Sequence, residues 1–144
     1  MRAVVTRVSS ASVEIDGAVH GEIEKGLLVL LGIKTTDTQA DAEKLAAKIC
    51  NLRIFSDDAG KMNLDIKDAG GNMLIISQFT LYADLKSRRP GFTEAARPEA
   101  AIPLYEFFIN ECKKGGFNVE TVVFGAMMDV KSCNDGPVTI ILEI

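Results

Sequence analysis

Apolar and polar positions change period several times along the chain. Residues 2–9 alternate imperfectly and are rich in Val and Thr, which predicts a strand. Val13-Glu14-Ile15 and Val19 to Ile23 flank Asp16-Gly17, a dipeptide suited to the tight turn of a hairpin. Leu27 to Leu31 is apolar without a break, as in a strand buried on both faces. Over 38–51 the period lengthens. Ala42, Leu45, Ala46, Ile49 and Cys50 recur at helical spacing, and Thr38 with Asp41 three residues on predicts a capped start. Ile54-Phe55 reads as a short strand stopped by Asp57-Asp58-Ala59-Gly60. Met62, Leu64 and Ile66 alternate with polar neighbours, as in a half-exposed strand. Asp68 to Asn72 predicts a turn, and Met73 to Ser77 the next buried strand.

Residues 84–97 read as a loop. A helix is predicted from Pro98 to Lys114, with Pro98 in its first turn, Leu104, Tyr105, Phe107, Phe108 and Cys112 as its stripe, and Gly115-Gly116 at its end. Pro103 is expected to kink or delay it. Residues 119–124, 126–133 and 137–143 read as strands, the last two joined by a hairpin turn at Asn134-Asp135-Gly136-Pro137. The expected fold class is α/β: one compact domain, residues 1–144, of layered β-sheets with two main helices on one side of the strands.

Composition narrows the classes. Of the 144 residues 47% are apolar, enough for a substantial core, and the 25% charged fraction suits a soluble protein. No apolar run reaches the roughly 20 residues of a membrane span, and no signal pattern opens the chain. A cytoplasmic protein is expected. Cys50, Cys112 and Cys133 are scattered, which predicts small buried hydrophobes rather than disulfides or a zinc site. No metal-ligand set is visible, so neither metal nor cofactor is expected. The single histidine, His20, falls in the first predicted hairpin and reads as a surface residue. A net charge of −4 makes broad nucleic-acid wrapping unlike this chain, so any such contact should be local. The one basic cluster is Lys86-Ser87-Arg88-Arg89.

Two stretches remain. Ser77-Gln78-Phe79-Thr80-Leu81 ends an apolar run and offers hydroxyl, amide and aromatic groups on consecutive positions. If the chain leaves the strand there, its N–H groups become free to face an oxyanion or a sugar hydroxyl. In Asn134-Asp135-Gly136-Pro137-Val138-Thr139, a proline at the mouth of a strand forfeits a ladder hydrogen bond. A Gly-Pro bond is also open to the cis form.

Taken together, these residues resemble the D-aminoacyl-tRNA deacylases from end to end. The likeness is carried by Arg7-Val8, Ala11-Ser12-Val13, Gly26 to Leu30, Asn51-Leu52-Arg53-Ile54-Phe55, Lys61-Met62-Asn63, Ser77 to Leu81, Arg89-Pro90 and Asn134 to Thr139. The resemblance implies a hydrolase that cleaves the ester joining a D-amino acid to the terminal adenosine of tRNA, and glycine mischarged on tRNA as a second substrate. It implies a homodimer in which a cis Gly136-Pro137 of one subunit enters the active site of the other and rejects L-amino acids. It also implies roles: Ser77, Gln78, Phe79 and Thr80 as catalytic residues, Arg7 as a brace for the Gly-Pro stretch, Asn134 as its support, and Lys86, Arg88 and Arg89 as contacts to the 3′ end of aminoacyl-tRNA. Thr80 has no evident base near it in sequence. The N–H groups around Phe79 and Thr80 are the expected polarising donors, with the neighbouring ribose hydroxyl assisting water. The chain departs from the family at Val122, where Gly is usual, and at Ser87 and Gly91, where Gly and Ser are commoner. Three other readings stay open here: an RNA-end binding module on the same fold, an unrelated hydrolase using Thr80 or a cysteine with His20, and a deacylase with relaxed chirality toward small L-residues, which a trans Gly136-Pro137 bond would favour.

Overall fold

A computed structural model describes residues 1–144. The element order is β1 (Arg2–Ile15), β2 (Ala18–Ile23), β3 (Gly26–Gly32), α1 (Gln39–Cys50), β4 (Phe55–Ser56), β5 (Met62–Leu64), β6 (Asn72–Ser77), a 3₁₀ turn (Phe79–Tyr82), α2 (Pro98–Lys113), β7 (Val119–Thr121) and β8 (Asp129–Glu143). No helix is long and apolar enough to cross a membrane.

Everything hangs on β1. Its first half pairs antiparallel with β3, from Arg2↔Gly32 to Val8↔Gly26. Its second half pairs with β2, from Ala11↔Ile23 to Ile15↔Ala18. Asp16 and Gly17 both take positive φ between β1 and β2, as an Asp-Gly hairpin requires. β3 continues into parallel pairs with β6, and β6 with β7. These parallel strands bear out the double burial expected of Leu27–Leu31 and Met73–Ser77. Leu27, Val29, Leu31, Met73 and Ile75 face the large core under the helices. Leu28, Leu74 and Ile76 face a second cluster with Val8, Val13 and Ile23. That second face is covered by strand, not helix. A Cβ on Gly21 of β2 would come within 3.2 Å of both Leu74 Cδ1 and the Thr121 carbonyl, so β2 lies directly over β6 and β7. The sheet thus curls toward a barrel, with both helices on its other side, as expected.

The helices form for local reasons. Thr38 Oγ1 accepts from Asp41 N–H at 3.3 Å while Asp41 Oδ2 accepts from Thr38 N–H at 2.8 Å, a closed capping box. Those Thr38 hydrogen bonds hold the exposed Asp41 carboxyl below its usual range. α2 opens on Pro98 and runs unbroken past Pro103, so the expected delay does not occur. Tyr105 Oη donates to the Ile75 carbonyl at 2.8 Å and fastens α2 to β6. Burial pushes this phenol up to about 12.

Other expectations change as well. There is no hairpin at 134–137: β8 is one strand, antiparallel to β1 from Glu14↔Asp129 to Arg2↔Glu143. The chain bulges at this point but keeps its direction, because β1 is long enough to pair with both flanks. The strand read over 119–124 stops at Thr121, and the one read over 126–133 starts at Asp129. Ile66 leaves its strand, which ends at Leu64, and is buried in the core from a turn instead. Of the cysteines only Cys112 is fully buried. Cys133 is exposed, because it lies on the outer strand β8.

Candidate functional site

The Gly-Pro stretch is a large bulge in an edge strand. Thr6 faces Thr139 and Val8 faces Asn134, so two steps along β1 answer five along β8. The excess residues swing outward, with Asn134 to Pro137 exposed. An edge strand tolerates proline here because no neighbour needs its N–H. The Gly136–Pro137 bond is cis, and Gly136 has φ +128°. A Cβ on Gly136 would lie 2.8 Å from Val138 N and 3.1 Å from Arg7 Nη2, so only glycine fits.

Arg7 explains how the excursion keeps its shape. The side chain is nearly buried, the residue being 8% exposed. Its Nη1 donates to the Ile54 carbonyl at 2.7 Å, and its Nε meets Asp135 at both the carbonyl (3.3 Å) and Oδ2 (3.1 Å). A cation buried this far needs such partners. Thr6 and Thr139 hydroxyls are 3.2 Å apart on one flank of the bulge. On the other flank Ser132 Oγ donates to Asn134 Oδ1 at 2.8 Å.

The Ser77 stretch is built differently. Ser77 is the last rung of β6 against Leu31. Gln78 N–H donates to the Leu31 carbonyl at 2.8 Å, and the chain then tightens, with Leu81 N–H on the Gln78 carbonyl and Ala83 N–H on the Thr80 carbonyl, both at 3.2 Å. The Phe79 and Thr80 N–H groups start this turn and have no acceptor within it, as at any helix start. The Thr80 hydroxyl accepts from the Gln78 side-chain amide, a neutral donor and no base.

Phe79 is 53% exposed and meets Phe92 edge-on, ring centres 5.0 Å apart. Together with Thr93, Arg97, Phe124 and Gly125 they line a cleft of about 410 Å³. Apart from Phe79, sequence reasoning named none of these. The available signal was an aromatic residue inside a polar loop, Pro90-Gly91-Phe92-Thr93. Phe124-Gly125 had read only as a strand end. The basic loop stands beside this region as a tight excursion closed by paired Asp84 and Gly91 backbone groups, at 2.7 and 2.9 Å. Lys86, Arg88 and Arg89 are exposed on it, with Lys86 Nζ 3.8 Å from Asp84. His20 is exposed on β2, as expected, and does not line the cleft.

The structure therefore assembles Ser77, Gln78, Phe79 and Thr80 in one place and Arg7, Asn134, Gly136 and Pro137 in another. It does not bring the two together. Ser77 is in register with Leu31 and so with Ala3, whereas the bulge is at Val8. Five strand residues at roughly 3.3 Å each separate the two positions by about 17 Å along β1.

A family model described as D-Tyr-tRNA(Tyr) deacylase matches residues 4–143. The D-aminoacyl-tRNA deacylase of Dehalococcoides mccartyi is 58% identical over 144 residues, spanning 99% of this chain and 94% of that protein. Its counterpart in Brevibacillus brevis is 55% identical, with 99% of both chains covered. Among solved structures, one titled c-Myc DNA Unwinding Element Binding Protein superposes with a TM-score of 0.95 at 41% identity, over 100% of this chain and 99% of that one. Another, titled as a probable eukaryotic D-amino acid tRNA deacylase, gives a TM-score of 0.85 at 14% identity, over 99% and 98%, a likeness of fold.

Proposed function

The chain belongs to the D-Tyr-tRNA(Tyr) deacylase family, and from that premise we propose that it hydrolyses the ester bond of D-aminoacyl-tRNA as a chiral proofreading enzyme of translation. The observation that carries the reading is the Ser77–Thr80 turn. It turns out from a doubly buried strand with two N–H groups unspent, beside an aromatic cleft. The Phe79 and Thr80 N–H groups polarise the ester carbonyl and stabilise the oxyanion. Water adds to the carbonyl carbon, assisted by the adjacent ribose hydroxyl, and the bond to the ribose oxygen breaks. The products are a free D-amino acid and tRNA with its terminal hydroxyl restored. Thr80 is not the nucleophile in this scheme, because its hydroxyl has an amide for a neighbour rather than a base. Ser77 and Gln78 hold the local geometry, and Phe79 packs against the adenosine.

The active unit is a homodimer. Within one chain the turn and the Gly136-Pro137 bulge stand at opposite ends of the β1–β3 pair, which supports a site whose bulge comes from a second copy. The free edge of β8, with Val130 and Ile141 exposed, is a surface for such a contact. Carbonyl oxygens of Gly136 and Pro137 receive the substrate's α-ammonium. With ammonium and ester both held, the side chain of an L-residue runs into backbone and that of a D-residue points to open space. Selection is by clash. Glycine has no side chain to exclude and is a second substrate. Lys86, Arg88 and Arg89 contact the phosphates of the tRNA 3′ end, and the enzyme works in the cytoplasm, where tRNA is charged. The net charge of −4 argues against broad wrapping of a duplex.

Deacylation of D-tyrosyl-tRNA and L-tyrosyl-tRNA, assayed side by side with the molar mass in solution, tests the reading. Rapid loss of the D-ester alone by a dimer is expected. Binding of tRNA without hydrolysis would leave only the fold and an RNA-end binding module.

A further inference from the structure

Arg2 opens β1, far in sequence from the Phe79–Tyr82 turn, and takes no part in the chemistry above. Its side chain meets that turn twice. Nη1 donates to the Leu81 carbonyl at 2.7 Å, and the guanidinium lies 4.9 Å from the centre of the Tyr82 ring. Nη2 reaches both carboxylate oxygens of Glu143, at 3.0 and 3.1 Å. Glu143 faces Arg2 across the β1–β8 pair. One guanidinium thus joins the first rung of β1, the end of β8 and the far end of the turn.

The turn needs such a tie. Its near end is anchored by the Gln78 N–H on Leu31, but after the Ala83 N–H bond to Thr80 the chain passes into the 84–97 loop. Tyr82 is 5% exposed, yet its hydroxyl is buried without a hydrogen-bond partner. Shape and the cation over the ring seat this side chain, and the hydroxyl contributes no anchor. The floor beneath is the β3 backbone. A Cβ on Gly32 would come 2.9 Å from Leu81 Cβ and 3.2 Å from Tyr82 Cδ2. Arg2, the cross-strand partner of Gly32, holds the turn from the neighbouring strand, with the fork and plane that lysine lacks.

We propose that Arg2 is a positioning residue for the reaction: it clamps Leu81 and Tyr82 onto Gly32, so that the Phe79 and Thr80 N–H groups hold one direction. The kinetic consequence rests on the deacylase reading above, whereas the clamp itself does not. Amide hydrogen exchange and steady-state deacylation on Arg2→Ala, Arg2→Lys and Glu143→Gln test it. In Arg2→Ala, the hydrogen-bonded amides of Leu81 and Ala83 exchange roughly tenfold faster while those of β6 do not change. Its kcat falls about tenfold and KM stays within about twofold, because the turn acts on the charge that develops in the transition state. Arg2→Lys recovers part of both losses, and Glu143→Gln shows roughly a third of the effect, since the contact to Leu81 survives. Unchanged exchange at Leu81 and Ala83 in Arg2→Ala overturns the proposal. Acceleration spread evenly over the whole sheet also overturns it, since Arg2 would then serve stability alone. Should the unaltered protein leave D-tyrosyl-tRNA intact, the proposed function fails, and the exchange profile still decides the role of Arg2.

Discussion

The Ser77–Tyr82 turn and the Asn134–Val138 bulge do comparable things by opposite means. The turn grows from β6, a strand buried on both faces between β3 and β7. Its direction follows from the core, and its polar groups are backbone N–H. The bulge sits on an edge strand with solvent around its tip. Only Val138 at its end meets the core, so a buried cation, Arg7, ties the protruding part to Ile54 and to its own Asp135. On the proposed function, the turn that aims at the ester carbonyl is built from the inside, and the bulge that reaches into a second copy has to protrude, so its shape depends on one or two side chains.

The sharpest way to break this contrast is Gly136→Ala. The new Cβ meets Val138 N at 2.8 Å under φ +128°, and a displacement near 1 Å is expected to cost about 100-fold in D-tyrosyl-tRNA hydrolysis. Thermal unfolding should move little, because only Val138 of the bulge touches the core. A fall in Tm as large as that of a core mutant would show that the bulge is part of the core after all.

Arg7→Met comes next. It leaves the Ile54 carbonyl without its charged donor, which costs about 2 kcal/mol. Asp135 is largely exposed, so its ion pair adds little. Denaturant unfolding measures the loss, and an unchanged midpoint refutes the brace. Tyr105→Phe probes the other region. Removing the hydroxyl 2.8 Å from the Ile75 carbonyl should cost about 1 kcal/mol and leave the D-to-L selectivity as it was. Thr80→Ala should lose only about threefold in kcat, roughly 0.7 kcal/mol. Activity reduced to that of free ester in buffer would make Thr80 the nucleophile and remove the backbone scheme.

Much of this was legible in the chain. Leu27–Leu31 and Met73–Ser77 announce double burial because both faces of each strand must be apolar. Thr38 with Asp41, and Pro98 with Gly115-Gly116, mark helix ends through hydrogen bonds that span only a few residues. Asp16-Gly17 makes a hairpin because both of its residues tolerate positive φ. The motif residues of both candidate stretches were also visible in order along the chain. Asn134-Asp135-Gly136-Pro137 misled for a physical reason: the residues that reverse a chain are also those that let it bulge. What separates the two outcomes is whether a partner strand continues past the interruption, and β1 does, over 14 residues. The cleft was hidden likewise, since Phe79, Phe92 and Phe124 come from three separate segments.

By itself, then, the sequence determined the elements whose stabilising contacts are local or periodic: the helices, the first hairpin and the doubly apolar strands. The tertiary structure decided the rest. It turned a presumed hairpin into a bulge, set Arg7 beneath it, gathered the aromatic cleft, and laid Arg2 across the Tyr82 ring. The bulge and the two arginine contacts depend on register along β1, and the cleft on three separate segments meeting; neither is a property that a single segment carries.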